Sequence, residues 1–334
     1  MLRVIGKRIA LLIPTLFGLS ILLFLWVRSL PGGPATALLG EKATPEAIAR
    51  VNELYGFDRP LLTQYLTYVG RLLQGDFGVS INTGRPVLEE FATRFPATLE
   101  LTVVALVFAI GVGVPLGYFA ARYYGRFLDH SSVVLSLIGI TVPVFFLAFI
   151  LKYLFAIQWS LLPPDGRQDA RIDATHYTQF YVLDGILTGE YDAAWDAVLH
   201  LVLPGIALGT IPLAIIVRIT RASVLDVVNE DYVRTANAKG LATATVRRRH
   251  IIRNALLPVS TTIGLQTGLL LSGAVLTETV FAFGGVGSAL RDAIANRDYA
   301  LLQGFILILA VVYVLVNLLV DISYGLLDPR VRVR

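Results

Sequence analysis

The chain has 334 residues, of which 55% are hydrophobic and only 16% are charged, and its mean hydropathy is +0.69. Soluble domains carry roughly 25% charged residues, so this composition excludes an ordinary soluble protein and indicates an all-α polytopic membrane protein with one membrane domain. The absence of cysteine excludes disulfides and thiolate metal sites.

Six apolar segments are long enough to cross a bilayer, since a helix needs roughly 20 residues to span about 30 Å of hydrocarbon. The first follows a basic N-terminus, as in a signal peptide, but it is longer than the roughly 7–15 residues of a signal-peptide core, so we interpret it as an uncleaved span. The six predicted spans are residues 9–27, 99–121, 133–157, 197–219, 259–281 and 301–320.

The loops between these spans differ in charge. Loop 220–258 holds seven Lys or Arg residues against three acidic ones, whereas loop 158–196 holds two against seven. Because positively charged loops stay in the cytoplasm, loop 220–258 and both termini are predicted to be cytoplasmic, and loops 28–98 and 158–196 external. The net charge of +4 follows from this sidedness, which removes the argument for nucleic-acid binding.

The external loop 28–98 is predicted to be helical. Thr44 and Pro45 are typical of a helix start, Pro60 opens a second helix that Gly75 ends, and a third is expected from Pro86. The second helix carries an apolar stripe that either packs against the membrane domain or binds an external partner. Loop 158–196 is rich in aspartate but lacks the ligand spacing of a metal site.

Helix-bending and close-packing residues recur inside the predicted spans. Prolines suit kinked helices, and pairs of glycines four residues apart allow helices to approach closely. These are Pro14, Pro115, Pro143, Pro204 and Pro212, and the pairs Gly113/Gly117, Gly205/Gly209 and Gly264/Gly268.

Ionisable and polar side chains within the spans are few, and a buried ion is a functional candidate by default. In the fifth span, Thr262 and Gln266 are predicted to line a transport path, with Glu278 and Phe281 near its external gate. A packing contact is the alternative interpretation of Gln266. The spans contain no chain of midplane carboxylates of the kind that a proton-driven carrier would use.

Catalytic motifs are absent from the sequence. None of the four lysines precedes Ser or Thr, so the chain contains no Walker A motif, and it has neither His-Glu-x-x-His nor Gly-x-Ser-x-Gly. We therefore expect no enzyme active site and no bound cofactor in this chain.

The cytoplasmic segment 221–258 is the most elaborate polar region. A helix is predicted from Arg221 to Lys239, with an i,i+4 ion pair between Glu230 and Arg234, and Gly240 is placed to end it in the left-handed conformation. A second amphipathic stretch, 245–257, leads to Pro258 and the next span. Such a projection is suited to contact with a cytoplasmic partner.

This segment resembles the EAA loop of ABC-importer permeases, in particular the dipeptide/oligopeptide/nickel branch and its B-type subunit. The two matching stretches run from Asp231 to Gly240 and from Arg249 to Pro258, and the chain departs from the branch at Gly33 and at Gly284-Gly285. Further matches lie at Leu30–Pro34, Gly75–Gly78, Arg85–Val87, Pro96–Leu101, Thr277–Phe281, Arg297–Tyr299 and Leu327–Arg330.

The resemblance implies a type I ABC-importer permease fold in the bacterial inner membrane. It also implies a homologous C-type permease subunit, two ATP-binding subunits or one fused ATPase, and an external substrate-binding protein, with ATP and Mg²⁺ held by the ATPases. The residues expected to couple this chain to the ATPase are Asp231, Tyr232, Arg234, Thr235, Ala236, Ala238, Lys239 and Gly240.

The substrate implied by the resemblance is a dipeptide or oligopeptide, with nickel chelates and glutathione as alternatives from the same branch. The lack of a His or Cys cluster in the spans favours peptide over nickel. A secondary transporter and a membrane receptor or scaffold are the alternatives from other classes of protein.

Overall fold

The computed structural model describes residues 2–29, 35–36, 39 and 43–327; the motif at Leu30–Pro34 and the predicted cytoplasmic tail after Leu327 lie outside this range. The described residues are mostly helical and contain no strand, only an isolated bridge between Val79 and Pro86. The helices are α1 Leu2–Arg28, α2 Pro45–Tyr55, α3 Leu61–Leu73, α4 Val87–Arg122, α5 Phe127–Thr141, α6 Val144–Leu151, α7 Tyr181–Thr188, α8 Tyr191–Val228, α9 Asp231–Ala238, α10 Thr243–Thr245, α11 Arg253–Gly273, α12 Val275–Val280, α13 Val286–Ala295 and α14 Tyr299–Leu327, with π-helical turns at Lys152–Gln158 and Val246–Ile252.

Four segments in the described part of the chain are single helices long and apolar enough to span a membrane: Ala10–Arg28, Val87–Arg122, Tyr191–Val228 and Tyr299–Val320. They correspond to four of the six predicted spans. The third predicted span, 133–157, is a pair of helices bent by 103°, which would make a fifth. The fifth predicted span, 259–281, is divided between α11 and α12 and is not among the segments that are long and apolar enough to span a membrane. The count of six spans is therefore not fully confirmed.

The bend in the third span lies at Pro143. Val142 is extended, as expected for a residue before proline, and α6 begins immediately after Pro143. By contrast, Pro204 and Pro212 lie inside the continuous helix α8. The prediction that prolines interrupt the spans therefore holds most strongly at Pro143.

The chain divides into two compact units, the first comprising Met1–Pro96 and Gly284–Leu318. Its core is formed by α4, α13 and α14, with the Phe91 ring edge-on to Phe305 at 5.3 Å. Asp298 caps the start of α14 by accepting from the Leu301 N–H at 3.1 Å, and it also accepts from the Ser80 hydroxyl at 2.6 Å. One buried carboxylate thus orders both a helix end and a distant turn.

The helices predicted in loop 28–98 are largely confirmed. Thr44 accepts from the Ala47 N–H at 3.2 Å and caps α2, and Gly75 follows the end of α3 with a φ of 81°. The expected third helix from Pro86 is wrong as a separate element, because it forms the first turns of α4 and continues into the second predicted span.

The second unit comprises Ala97–Phe283 and Leu319–Arg334, and α8 is its central helix. A Cβ added at Gly117 would lie 2.6 Å from the Val217 carbonyl oxygen, and one added at Gly209 would lie 2.7 Å from that of Ala105. Both distances are shorter than a Cβ can tolerate, so these glycines permit the close approach of α4 and α8 that the sequence predicted.

The acidic loop 158–196 is folded by its own carboxylates. Asp184 accepts from the Thr178 backbone and hydroxyl groups, and Glu190 accepts from the Thr175 N–H at 2.9 Å and hydroxyl at 3.0 Å. The bond from the Thr175 backbone is the main reason that the pKa of Glu190 lies below its usual range. Arg167 joins this loop to α4 through Glu100 at 2.9 Å.

Candidate functional site

The predicted coupling helix is a separate element, because the expected single helix Arg221–Lys239 is broken at Asn229 and Glu230. The Asn229 side chain donates to the Leu225 carbonyl at 2.9 Å and so satisfies one of the last acceptors of α8. Glu230 is extended, and its carbonyl accepts from the N–H groups of Val233 and Arg234 at the start of α9.

The expected ion pair between Glu230 and Arg234 is therefore wrong. Glu230 lies before the first residue of α9, so the i,i+4 geometry of a continuous helix is not available to it. Arg234 pairs instead with Asp231, at 3.5 Å. Both side chains are exposed, so this ion pair contributes little to stability.

The end of α9 matches the prediction for Gly240, whose φ is 71°. The Gly240 N–H donates to the Asn237 carbonyl at 3.0 Å, and the Leu241 N–H donates to the Ala236 carbonyl at 3.3 Å. These are the two bonds of a Schellman motif, which requires a left-handed residue at the glycine position. No atom lies within 4 Å of an added Cβ at Gly240, so the backbone conformation, not space, selects glycine there.

The inner face of α9 packs on the neighbouring helices. Val233 and Ala236, three residues apart, are buried together with Val246, and Val227 and Ile251 pack around them. This cluster joins α9 to the end of α8 and to the π-helical turns before α11. The Tyr232 hydroxyl accepts from the Asn254 side chain at 3.2 Å and adds a second tie to α11.

The outer face of α9 is exposed and polar. Of the eight residues predicted to couple to an ATPase, seven are exposed: Asp231, Tyr232, Arg234, Thr235, Ala238, Lys239 and Gly240. The exception is Ala236, which is 5% exposed and lies in the inner cluster. Its place is that of an anchor, whereas the others form a surface that a partner can reach.

The helix that follows α9 differs from the expected amphipathic segment ending at Pro258. The chain is helical from Thr243 through Gly273, with π-helical turns at Val246–Ile252, and Pro258 lies inside α11. Single π-helical turns are rare and often found at functional sites. Here they carry Arg248 and Arg249 on the exposed surface beside α9.

An ion pair between the half-buried Arg221 and the buried Asp129 fixes the base of α8, and it was not predicted from the sequence. The Arg221 guanidinium donates to both carboxylate oxygens of Asp129, from Nε and, at 3.0 Å, from Nη2. The Gly125 N–H also donates to Asp129 at 3.0 Å. The only signal in the sequence was a lone aspartate at the edge of an apolar segment, 92 residues from its partner.

The four predicted path residues are divided by the break between α11 and α12. Thr262 and Gln266 lie one turn apart on α11, and Glu278 and Phe281 lie on and just after α12. Gln266, Glu278 and Phe281 are buried within the chain, and Thr262 is half-buried. The Thr98 hydroxyl donates to the Glu278 carboxylate at 2.6 Å, so the charge of Glu278 is directed at α4.

The segment after α12 is tied to the rest of its unit by two donors that the sequence analysis did not assign to it. Lys152 Nζ donates to the Val280 carbonyl at 3.0 Å, and the Gly166 N–H donates to the Phe281 carbonyl at 2.8 Å. Ala282 follows with a φ of 46°, an uncommon conformation for a residue other than glycine. Backbone contacts therefore hold the predicted gate region.

No group of three or more His, Cys, Asp or Glu residues with the geometry of a metal site occurs among the described residues. The carboxylates of loop 158–196, which lack the ligand spacing of a metal site, are largely engaged by backbone and hydroxyl donors. For example, the Asp196 carboxylate accepts from the Asp169 N–H at 2.7 Å.

Comparison with known proteins agrees with this arrangement. A family model described as the inner membrane component of binding-protein-dependent transport systems matches residues 113–333, and one for the N-terminal part of such membrane components matches residues 1–102. The chain is 47% identical to the di/tripeptide transport system permease protein DppB of Pseudomonas aeruginosa (strain UCBPP-PA14) and 46% identical to the dipeptide transport system permease protein DppB of Escherichia coli (strain K12). Each alignment covers 99% of both chains.

A solved structure of the MetNI methionine ABC transporter in an inward-facing conformation is similar in fold. The TM-score is 0.50 at 14% sequence identity, and the match covers 70% of this chain and 93% of that one. At this identity the likeness supports the fold alone.

The docking of α9 can be tested with two alanines of the same helix. Ala236→Glu places an unpaired carboxylate in the inner cluster, which costs about 3 kcal/mol or more, so α9 should undock and trypsin should cleave after Lys239 roughly tenfold faster or more. Ala238→Glu, on the exposed face, should leave the cleavage rate near that of the parent. Equal rates for the two variants in the purified complex would contradict the burial of Ala236.

Proposed function

Since this chain belongs to the family of inner membrane components of binding-protein-dependent transport systems, we propose that it is one of two permease subunits of an ATP-driven peptide importer and that the outer face of α9 binds a partner ATPase. The observation that carries this proposal is the construction of α9, which is polar and exposed outside and packed on the bases of two long helices inside. An ATP-driven importer subunit that lacks a Walker A motif needs such a contact with an ATPase.

The proposed partners follow from membership of the family. A C-type permease subunit completes the translocation path, and two ATP-binding subunits or one fused ATPase hold ATP and Mg²⁺. An external binding protein delivers the substrate. Di- and tripeptides are the proposed cargo, because relatives similar over 99% of both chains are named as dipeptide and di/tripeptide permeases. Family membership argues against a secondary transporter and a receptor.

The proposed mechanism transmits force through the inner cluster. Closure of the ATPases on ATP pushes the segment Asp231–Gly240, and Val233 and Ala236 pass the displacement to Val227 at the end of α8 and to Val246 before α11. The Asp129–Arg221 ion pair carries the same displacement to α5. Helices α8 and α11 then tilt between inward-open and outward-open arrangements.

The proposed coupling contact is tested at Gly240. Valine strongly resists a φ of 71°, a left-handed conformation that costs most residues about 1–2 kcal/mol, whereas asparagine tolerates it. We expect Gly240→Val to reduce peptide-stimulated ATP hydrolysis of the reconstituted complex several-fold, and Gly240→Asn to retain it. Normal coupled hydrolysis in the valine variant would rule out α9 as the coupling contact.

The proposed topology has six spans with both termini and segment 221–258 in the cytoplasm, and with 28–98 and 158–196 outside. The chain has no cysteine, and positions 83, 173 and 243 are exposed, so single cysteines report sidedness directly. An impermeant maleimide added to intact cells should label Thr83→Cys and Asp173→Cys, and should label Thr243→Cys only after permeabilisation. Labelling of position 243 in intact cells would reverse the topology.

The proposed path runs along the fifth span, with Thr262 and Gln266 facing it and Glu278 and Phe281 at its external end. Because three of these side chains are buried in the isolated subunit, we propose that they become accessible to substrate only when α11 and α12 separate from α4 and α8 during transport. In that step the bond from Thr98 to Glu278 breaks, and the carboxylate turns toward the path.

The path proposal is tested with Glu278→Gln and Gln266→Leu. Glutamine keeps the shape and an acceptor for Thr98 but removes the charge, so peptide uptake should fall by roughly tenfold, which corresponds to about 1.4 kcal/mol, while the complex still assembles. Thr279→Val is the matched control, since within the described residues its hydroxyl bonds only to the Val275 carbonyl of its own helix. Unchanged uptake in both path variants would exclude this path.

A further inference from the structure

Helix α3, Leu61–Leu73, has one apolar face that no part of the chain described by the structure covers. None of its residues is buried, and Leu62, Leu66 and Leu73 are 70%, 62% and 83% exposed. Spacings of four and seven residues place these three leucines on one face of the helix. A continuous leucine face of this kind marks an interaction surface.

The depth of α3 is set by its contacts with α1, whose segment Ala10–Arg28 has the length and composition of a membrane span. Arg28, the last residue of α1, donates from Nε to the side-chain oxygen of Gln64 at 2.7 Å. The Tyr65 hydroxyl bonds to that of Ser20, at 2.9 Å. Ser20 lies eight residues, or about 12 Å, below Arg28 along α1, so α3 crosses the end of α1 at the membrane boundary.

The same contacts fix the rotation of α3 about its axis. The Tyr68 ring lies 5.7 Å from the Phe24 ring, between the other two contacts in depth. At about 100° per residue, the order around α3 is Gln64, Tyr68, Tyr65 and then Leu62. The α1 partners of Gln64, Tyr68 and Tyr65 lie successively one turn further into the apolar segment of α1. The leucine face, next in this order, is therefore the side nearest the middle of the membrane.

The opposite face of α3 borders a cavity of about 420 Å³ in the same unit. Arg28, Arg59 and Arg71 line this cavity with a single acidic residue, Asp76. The Tyr68 hydroxyl is buried and makes no hydrogen bond within the described residues. Burial raises the pKa of Tyr68 to about 12, so its hydroxyl keeps a proton to donate. The cavity therefore offers an excess of positive charge and a free donor to an anion.

We propose that α3 is an interfacial lipid-binding helix. Leu62, Leu66 and Leu73 lie among the acyl chains of the adjacent leaflet, and Arg59 and Arg71 face the phosphates of its phospholipids. Amphipathic helices with leucine on one face and arginine on the other lie at this boundary, with the apolar face about 5–10 Å into the bilayer. In this proposal the tyrosines of α3 pack on α1, and its leucines contact lipid and not an external protein.

The inference rests on depth along α1 and holds for either orientation of the chain. It is tested by attaching a nitroxide to Leu66→Cys, Leu73→Cys and, as the matched control, Thr67→Cys, which is exposed and lines the cavity on the opposite face. The complex, with any cysteines of its partner subunits removed, is reconstituted in vesicles of phosphatidylethanolamine and phosphatidylglycerol. Collision rates are measured with oxygen, which concentrates in acyl chains, and with a water-soluble nickel chelate.

We expect the labels at 66 and 73 to collide with oxygen several-fold more often than with the chelate, relative to the label at 67. Greater access of the chelate to positions 66 and 73 would place the leucine face in water and overturn the proposal. Protection of both positions from oxygen and chelate would show that a protein covers this face, and would also overturn it. The readout uses no ATPase, so it stands or fails independently of the coupling proposal.

Discussion

The structure around α9 depends on the burial of Val233 and Ala236. A helix of eight residues is not stable alone, since isolated helices shorter than about 12–15 residues are marginal in water. The position of α9 is therefore set by the cluster that it shares with Val227, Val246 and Ile251. Anything that moves its outer face must move α8 and the start of α11, because no other contact of comparable size is present among the described residues.

Close packing of α4 on α8 provides the complementary constraint inside the second unit. The glycines at the crossing bring one backbone against the other, and the interior of a protein at normal packing density transmits displacement with little compression. Asp129 and Arg221 add a charge pair near the end of α8 beside α9, where loss of Arg221 would leave the buried Asp129 carboxylate unpaired. Helix α8, which packs against α9, is thus held to its neighbours near its end and at its centre.

The features that could be predicted from the sequence are those with a local physical cause. Proline before α6, the threonine cap of α2 and the left-handed glycine after α9 each act through the residues beside them. Predictions from the sequence pattern were wrong where contacts between residues far apart in the chain determine the structure. The apolar strip of α8 and α9 reads as one helix, and the break at Asn229 and Glu230 follows from how α9 packs.

Candidate site residues divide in the same way. The exposed face of α9 was visible as a polar stretch between spans, but the anchoring role of Ala236 depends on Val246, across a turn. The burial of Glu278 against Thr98 joins positions 180 apart in the chain, and no periodicity records such a partner. The continuation of the helix through Pro258 and the π-helical turns at Val246–Ile252 likewise have no signature in the sequence, where a proline usually marks a helix boundary.

The length of α8 has a mechanical consequence. Its 38 residues extend about 57 Å along the helix axis, nearly twice the thickness of the hydrocarbon layer. A rod of this length fixed near its centre acts as a lever, so a displacement at the end beside α9 appears at the other end with similar size and opposite sign. Pro204 removes a backbone hydrogen bond in the half of this lever that lies away from α9, and Pro212 removes one near its middle. Compliance is therefore concentrated at the centre and in the far half of α8, while the arm that packs against α9 contains no proline beyond Pro212 and stays stiff.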